Sequence, residues 1–284
     1  MRYAVIWYAS LSLLFPSLLL TFSESSAASS TAKDELRLML PKAGSLEPEV
    51  TSRYYEQALQ LALEKTRRES EHFHFDHYPA SVNRARARLL VKQGKVDIIW
   101  SSSSKTREAE LTPIRFNLIR GINEYRLLLI RADDQAKFDK VKTLTDLQKF
   151  KIGTGVQWSD TEIYHFNALP VVTSYSYIPM FRMLKVGRFD YMARSIQEIH
   201  FELETYGKSG LVIEKNLAIH YPQPIYFFVN NSNRALATRI QKGLEIARDD
   251  GSLDALFFSI PNFRKAWEQL QKLNRHIIEL NVPE

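Results

Sequence analysis

Short apolar runs alternate with amphipathic stretches along the chain from residue 35 onward, a pattern typical of proteins that mix strands with helices. Alternating or continuous apolar residues predict strands at 36–40, 72–78, 96–100, 124–130, 151–153, 171–172, 188–192, 225–229 and 277–280. Apolar residues at helical spacing predict helices at 54–65, 83–92, 159–167, 179–186, 195–205, 235–248, 253–259 and 263–273. The alternation of the two element types predicts an α/β fold.

The order of these elements predicts two α/β lobes. We assign residues 35–130 together with 222–284 to the first lobe and residues 131–221 to the second. The chain would then cross between the lobes twice, which creates a hinge and a cleft. A pair of lobes on one hinge can close around a small ligand.

The first 28 residues have the composition of a secretory signal peptide. Arg2 supplies a positive charge, residues 4–22 carry none, and Ser26 and Ala28 place small residues at a cleavage site. An uncleaved membrane anchor is the alternative, because about 19 uncharged residues can just span a bilayer. Pro16 inside the apolar run and the small residues after it favour cleavage after Ala28. We therefore expect an exported, periplasmic protein.

Composition excludes several functions. The 38 basic and 32 acidic residues are interleaved, so the net charge of +6 does not predict a nucleic-acid-binding face. The chain has no cysteine, which excludes thiolate catalysis, thiolate metal sites and disulfides. It also lacks a Gly-x-Ser-x-Gly elbow, a His-Glu-x-x-His pair and a dinucleotide-binding fingerprint. These absences predict a binding protein without catalytic activity or cofactor.

Three histidines on one predicted strand are the candidate metal ligands. His72 and His74 share one face of strand 72–78, whereas His77 points away or lies past its end. Three imidazoles could bind zinc or copper after a rearrangement. A solvent-facing strand edge explains the same residues without a metal, and we favour that interpretation.

Three motifs, in this order along the chain, resemble segments of the family 3 extracellular solute-binding proteins. Gly94-Lys95-Val96-Asp97 followed by Ser104-Lys105-Thr106-Arg107 is similar to their G-k-v-D and T-x-x-R core. The segment 151–155 resembles the strand and turn that open their second lobe, and 184–190 resembles their L-x-x-G-r-x-D segment. The resemblance implies the type II periplasmic-binding fold, two α/β lobes that close on a ligand, and a role in ABC-type import.

The resemblance also implies ligand contacts, and one position departs from the family pattern. Arg107 occupies the place of an arginine that grips the ligand carboxylate, and a guanidinium is suited to bidentate carboxylate pairing. The alternative is a surface arginine paired with a neighbouring glutamate. The family has an aspartate for the ligand ammonium where this chain has Ser195, preceded by Arg194. An ordinary α-amino acid ligand is therefore in doubt, and Ser195 also fits a helix N-cap completed by Glu198.

Further candidate contacts lie at the ends of two predicted strands. Residues 153–160 join a strand to a helix N-terminus, where free amide groups and the helix dipole favour an anion. This segment is not a P-loop, because no Gly-Lys-Ser/Thr sequence follows. Side chains at the end of strand 96–100 are expected in a cleft loop. The candidates from these two strand ends are Trp100, Ser102, Ser104, Thr154 and Trp158.

We interpret the chain as a monomeric periplasmic protein that captures a small polar, carboxylate-bearing solute for an inner-membrane ABC permease. The solute would be amino-acid-like or an organic acid. One alternative is a periplasmic sensor or interaction module with a degenerated cleft, which the missing aspartate favours. A second is a lyase or dehydratase on the same fold, which would need an acid or base facing Arg107.

Overall fold

The structure is a computed structural model that describes residues 35–42, 49–156, 158–207 and 210–283. The predicted signal peptide, residues 1–28, lies outside these ranges. Among the described helices, none combines the length and the hydrophobicity that a membrane span requires. Residues 34–284 form one compact unit.

Strands and helices alternate as the sequence predicts. The described strands are β1 (Glu35–Leu40), β2 (His72–His77), β3 (Ile98–Ser102), β4 (Thr112–Ile114), β5 (Tyr125–Arg131), β6 (Ile152–Gly155), β7 (Val171–Ser174), β8 (Tyr191–Ser195), β9 (Leu211–Ile213), β10 (Leu217–His220), β11 (Ile225–Val229) and β12 (His276–Glu279). The described helices are α1 (Glu49–Lys65), α2 (Arg84–Lys92), α3 (Lys105–Glu110), α4 (Gln135–Phe138), α5 (Leu144–Leu147), α6 (Ser159–Phe166), α7 (Tyr177–Lys185), α8 (Ile199–Tyr206), α9 (Arg234–Asp249), α10 (Ser252–Ser259) and α11 (Pro261–Gln271). A 3₁₀ turn at Ala132–Asp134 precedes α4. The predicted α/β class is confirmed.

The described strands form three sheets. β1 and β2 pair in parallel. β11 lies between β3 and β4 in an antiparallel three-stranded sheet. The third sheet has seven strands in the order β12-β10-β5-β8-β6-β7, with β9 paired to β5.

Helices α1 and α9 pack closely against each other. An added Cβ at Gly243 of α9 would come within 1.9 Å of the Ala62 carbonyl oxygen of α1, so the contact requires glycine. On the same helix α1, the buried Tyr54 donates its hydroxyl to the Leu118 carbonyl oxygen. Its ring also meets Phe263 edge-on, with the ring centroids 4.8 Å apart. These contacts tie α1 to the segment before β5 and to α11.

Two strands pair outside the lobe that the sequence assigns to them. All of β12 and all but the last residue of β5 lie within 35–130 and 222–284. Both strands nevertheless pair in the seven-stranded sheet, β5 with β8, β9 and β10 and β12 with β10. The chain therefore passes three times between this sheet and the three-stranded one: before β5, before β11 and through α11 before β12. The sequence predicts two passages, because it gives no sign that β12 returns to β10.

Apolar side chains join the two groups of strands. A single cluster contains Trp100 and Phe227 of the three-stranded sheet and Leu127 and Met192 of the seven-stranded sheet. Separate clusters cover the opposite faces of these sheets. The two predicted lobes thus share a continuous core, and their boundaries stay a prediction.

One edge of the seven-stranded sheet gathers polar side chains. The parallel strands β6 and β8 end there, at Gly155 and Ser195. The antiparallel strand β5 starts at the same edge, with Arg126 opposite Ser195, and Ile219 of β10 is also opposite Arg126. The candidate site lies at this edge.

Candidate functional site

Arg107 is a buried guanidinium that forms no ion pair in the described part of the chain. The residue is 8% exposed, and its Nε and Nη1 atoms are buried without a hydrogen-bond partner there. Burial, with the charges of Arg88 and Arg84, lowers the pKa of Arg107 to about 10. A buried cation without a partner is costly, so this arrangement indicates a position for an anion.

The alternative of a surface arginine paired with a neighbouring glutamate is wrong. Glu108 pairs with Arg115, and Glu110 Oε1 lies 3.3 Å from Lys92 Nζ. The Arg107 Cζ lies 6.0 Å from the centroid of the Phe228 ring.

Arg107 lies in a cavity of about 510 Å³. One wall comes from α2 and α3, and the opposite wall comes from α6 and the loop that precedes it. The lining residues are Arg88, Ser104, Thr106, Arg107, Glu110, Val156, Trp158, Ser159, Thr161, Glu162 and His165. A cavity of this size is in the range of small-molecule sites.

Three other predicted contacts lie in or beside this cavity. Ser104 caps α3, because its Oγ accepts the Arg107 backbone N–H at 3.3 Å. Trp158 lines the cavity directly before α6. Its ring lies over Gly155, where an added Cβ would come within 2.6 Å of the indole nitrogen. The Ser102 Oγ lies 3.0 Å from the Ser159 Oγ, a contact that joins β3 to α6.

Trp100, Thr154 and Ser195 are buried, and the structure does not bring them to the cavity. Trp100 stacks on Tyr55 in the apolar cluster, with ring centroids 5.3 Å apart. The Thr154 Oγ1 lies 3.0 Å from the Thr161 Oγ1. Ser195 donates its hydroxyl to the Ile122 carbonyl oxygen at 3.3 Å. Core packing and internal hydrogen bonds use these side chains, which corrects their prediction as contacts in this cavity.

The prediction that Ser195 caps a helix is also wrong. Ser195 is the last residue of β8, paired in register with Arg126 of β5. The next helix begins four residues later, at Ile199. A Ser-x-x-Glu spacing indicates a cap only where a helix begins directly after the serine, and here Ser195 still belongs to the strand.

Arg194 is a buried cation whose charge is compensated within the chain. Its Nη2 lies 3.0 Å from Glu198 Oε2, and its Nε lies 2.8 Å from Glu202 Oε2. Burial alone would lower the pKa of Arg194, but Glu202 and Glu198 raise it well above its usual value. Tyr177 donates its hydroxyl to Glu202, and the Trp158 ring lies 4.4 Å from the Arg194 Cζ. A ligand contact by Arg194 stays a prediction.

A second buried network surrounds Arg126 at the same sheet edge. Arg126 donates to Asp160 Oδ1 at 2.9 Å, to the Tyr221 hydroxyl at 2.8 Å and to Gln223. Burial raises the pKa of Asp160, but Arg126 and the Tyr221 hydroxyl outweigh it, so the pKa lies below its usual value. Gln223, between β10 and β11, donates to the Ser159 Oγ at 3.0 Å. The network therefore reaches the Ser102–Ser159 contact beside the cavity.

The sequence analysis missed Arg126, Asp160 and Arg88. Two of them carried a signal. Arg126 is a charged residue directly before the apolar run 127–130 of a strand, and Asp160 lies two residues after Trp158, at the junction of a strand and a helix. Arg88 carried none, because α2 contains Arg84, Arg86 and Arg88 and only the fold selects the one that lines the cavity.

The candidate metal ligands are exposed on β2. The His74 Nε2 lies 3.1 Å from Asp76 Oδ1, and the His77 Nε2 lies 3.0 Å from Glu56 Oε1. No cluster of three metal-ligating side chains occurs within the described ranges.

No protein-family model and no curated protein matches the sequence. Solved structures do match the fold. The probable amino-acid ABC transporter extracellular-binding protein of Bacillus subtilis has a TM-score of 0.58 at 16% identity, over 80% of this chain and 98% of that one. An ancestral arginine-binding protein bound to arginine has a TM-score of 0.56 at 14% identity, over 79% and 98%. A histidine kinase sensor domain with similarity to periplasmic binding proteins has a TM-score of 0.51 at 17% identity, over 73% and 85%.

These matches cover nearly the whole of two binding proteins and most of a sensor domain, at identities that show the fold alone. The resemblance carried by the three short sequence motifs is thereby confirmed at the level of the fold. The described chain has the α/β fold of the periplasmic solute-binding proteins.

Proposed function

We propose that the protein is a periplasmic solute-binding protein that holds a small carboxylate-bearing solute on Arg107. The observation that carries this proposal is the buried guanidinium whose Nε and Nη1 atoms lack a partner in the described chain. A carboxylate can accept two parallel N–H groups from one guanidinium, so it supplies what this position lacks.

The surroundings of Arg107 also favour an anion. Helix α6 begins at Ser159 beside the cavity, and the N-terminus of a helix attracts negative charge. The hydroxyls of Ser104 and Thr106 line the same cavity and can donate hydrogen bonds to ligand oxygens. The Ser102–Ser159 contact joins β3, the strand before α3, to the start of α6, and so supports enclosure of a solute between α3 and α6.

The solute would be delivered, by a monomer, to an inner-membrane ABC permease. Residues 1–28 would bring the protein to the periplasm as a cleaved signal peptide. Binding proteins of amino-acid ABC transporters among the proteins of this fold support import as the role.

A periplasmic sensor module is the second candidate. A histidine kinase sensor domain shares the fold. In this chain, Arg194 is already compensated by Glu198 and Glu202, and one apolar cluster crosses both groups of strands. Both features would suit a module that transmits a signal through a rigid body without binding a solute.

An enzyme receives less support from the cavity. A lyase or dehydratase would need an acid or base held in place opposite Arg107. Glu162 and His165 line the cavity, but their side chains make no hydrogen bond to a described residue that would orient them.

Ligand-dependent thermal unfolding and calorimetry test the proposal. We expect at least one of acetate, succinate, glutarate, L-glutamine and L-arginine to raise the Tm of the wild type. Arg107→Gln removes the charge that holds the carboxylate, and we expect it to cost about 2–5 kcal/mol of binding free energy, which abolishes the shift.

Arg86→Gln is the matched control, since Arg86 is exposed on the neighbouring helix α2 and does not line the cavity. This variant should keep the ligand-dependent shift. A folded wild type that binds none of these carboxylates, or an Arg107→Gln variant that binds them as well as the wild type does, would contradict the proposal.

A further inference from the structure

The positive charge around Arg107 exceeds what one carboxylate neutralises. Arg88 of α2 lines the same cavity as Arg107 of α3. The Arg88 side chain is half-buried and makes no hydrogen bond or ion pair with any described residue. Two guanidinium groups therefore line one cavity, and neither forms an ion pair with a residue of the described ranges.

Helix α2 places a second arginine near the site. Arg84 and Arg88 are four residues apart, so they lie on the same face of α2. Burial lowers the pKa of Arg107 the most. The charges of Arg88 and Arg84 lower it next, and each has a larger effect than either Glu110 or Glu162, which raise it. The charges of Arg84 and Arg88 therefore act on Arg107 in addition to its own charge.

The acidic residues of the cavity offset only part of this charge. Glu110 is paired with Lys92, at 3.3 Å between the Oε1 and Nζ atoms. Glu162 is exposed on α6, where water and salt screen its charge. His165, one turn further along α6, is also exposed.

The position that would receive a ligand ammonium in the resembling family offers no carboxylate. Ser195 stands there, is 1% exposed and donates its hydroxyl to the Ile122 carbonyl oxygen. The glutamates nearest to it in sequence, Glu198 and Glu202, are held by Arg194. The carboxylate that the family supplies for a positive end is thus missing, and of the two glutamates that line the cavity Glu110 is paired and Glu162 is exposed, whereas a second negative group would find the half-buried Arg88.

We propose that the solute carries two anionic groups, one held by Arg107 and the other by Arg88, so that the preferred ligand is a small dianion. This inference rests on the proposed function, because both groups bind in the cavity assigned to the solute. It narrows the class of carboxylates to dicarboxylates, with a phosphate group as the other source of two negative charges.

Isosteric pairs that differ by one charge test the inference. Calorimetry would compare glutarate with its monoamide glutaramate, and succinate with succinamate, on the wild type, Arg88→Gln, Arg86→Gln and Arg107→Gln. We expect a dicarboxylate to bind the wild type at least tenfold more tightly than its monoamide. Arg88→Gln should reduce this ratio to about one, while the exposed control Arg86→Gln should keep it. Inorganic phosphate is compared with acetate, a monoanion, in the same way. Tight binding of phosphate would indicate two charges on one group, and tight binding of a dicarboxylate would indicate two separated carboxylates.

The outcomes separate the two proposals. The dianion proposal is overturned if the wild type binds a diacid and its monoamide with equal affinity, or if Arg88→Gln keeps the wild-type affinity ratio between them. Binding of a carboxylate through Arg107 would stand in both cases. Binding of L-glutamine in preference to glutarate and phosphate overturns it as well. If no anion binds the folded wild type, or if Arg107→Gln binds them unchanged, both proposals fail.

Discussion

Asp160 keeps a negative charge at a buried position because Arg126 and Tyr221 surround it. The Arg126 guanidinium lies 2.9 Å from its Oδ1, and the Tyr221 hydroxyl donates to the same atom. Breaking a buried pair by removing one charge typically costs about 3–5 kcal/mol, because the other charge remains buried. The stability of this sheet edge therefore depends on the ionisation of a single carboxylate.

Asp160→Asn tests this dependence. At pH 7 we expect the variant to lose about 3 kcal/mol of unfolding free energy, since Arg126 stays buried without its counter-charge. The pKa of Asp160 is lower in the folded chain than in the unfolded one. The carboxylate thus stabilises the fold above the unfolded pKa of about 3.9, and this contribution is lost as the pH falls through the folded value.

Urea unfolding from pH 7 to pH 2.5 measures the effect. The gap in unfolding free energy between wild type and variant should narrow on acidification. Asp133→Asn is the control, because Asp133 is exposed, and it should leave stability unchanged. A gap that does not vary with pH would exclude the carboxylate as its cause.

The role of a residue could be predicted from the sequence where that role depends on neighbours along the chain. Arg107 lies in the segment that resembles the T-x-x-R motif of the family 3 solute-binding proteins, and that resemblance implied its anion contact. The state of Arg194 depends on Glu202, eight residues away, which only the fold brings to 2.8 Å. The position of Arg88 beside the same cavity as Arg107 likewise follows from the fold.

Helices α1 and α9 are so close that a side chain would not fit between them at Gly243. Alanine favours a helix over glycine by about 1 kcal/mol, so propensity alone would make Gly243→Ala stabilising. The added Cβ would meet the Ala62 carbonyl oxygen at 1.9 Å, which forces the helices apart. Packing therefore predicts that Gly243→Ala destabilises the protein, whereas helix propensity predicts that it stabilises it.

We expect packing to decide, with a net loss of about 2 kcal/mol for Gly243→Ala. Chemical denaturation compares it with Thr238→Ala, an exposed position on the same helix, which should change stability by no more than about 0.5 kcal/mol. An alanine variant that is as stable as wild type would mean that α1 and α9 can separate at little cost.

Elements with clear periodicity were predicted, and the shortest ones were not. The sequence indicated α1, α9 and β11 because each carries enough apolar residues to define a face. β4, β9 and β10 have three or four residues each, too few for a pattern, and gain their pairing from β11 or β5. Helix α8 starts four residues later than predicted, since β8 extends through Ser195.

At the scale of the molecule, β12 gives the seven-stranded sheet its outer strand beside β10. Ile278 and Leu280 are buried in the apolar cluster on one face of that sheet. Their burial contributes roughly 3–6 kcal/mol. The chain after α11 is therefore part of the sheet's core.

A truncated chain that ends at Leu273 tests this role. We expect a lower Tm and faster hydrogen exchange in β10 and β5, while β3 and β11 keep their protection. A chain that ends at Asn281 is the matched control, because it retains β12 and the Asn167–Asn281 hydrogen bonds, at 2.7 and 2.9 Å. Unchanged exchange in β10 after the longer truncation would show that β12 does not support the sheet.

The fold class followed from the alternation of strands and helices, but the grouping of strands into sheets did not. β5 and β12 pair with strands far away in the chain, as Tyr125 with His220 and His276 with Leu217, and local patterns do not record such pairing. The same limit applies to the cavity, whose walls come from α2, α3 and α6.

The position of β12 also determines what a dye near residue 282 would report. A fluorophore on the partly exposed Val282 would be anchored to the seven-stranded sheet, and a second on Lys95, in the exposed turn after α2, would be anchored beside the other wall of the cavity. Capture of a solute between those walls would change the energy transfer between the dyes. A doubly labelled chain would thus act as an optical detector for fractionating cell extracts until its natural solute is isolated.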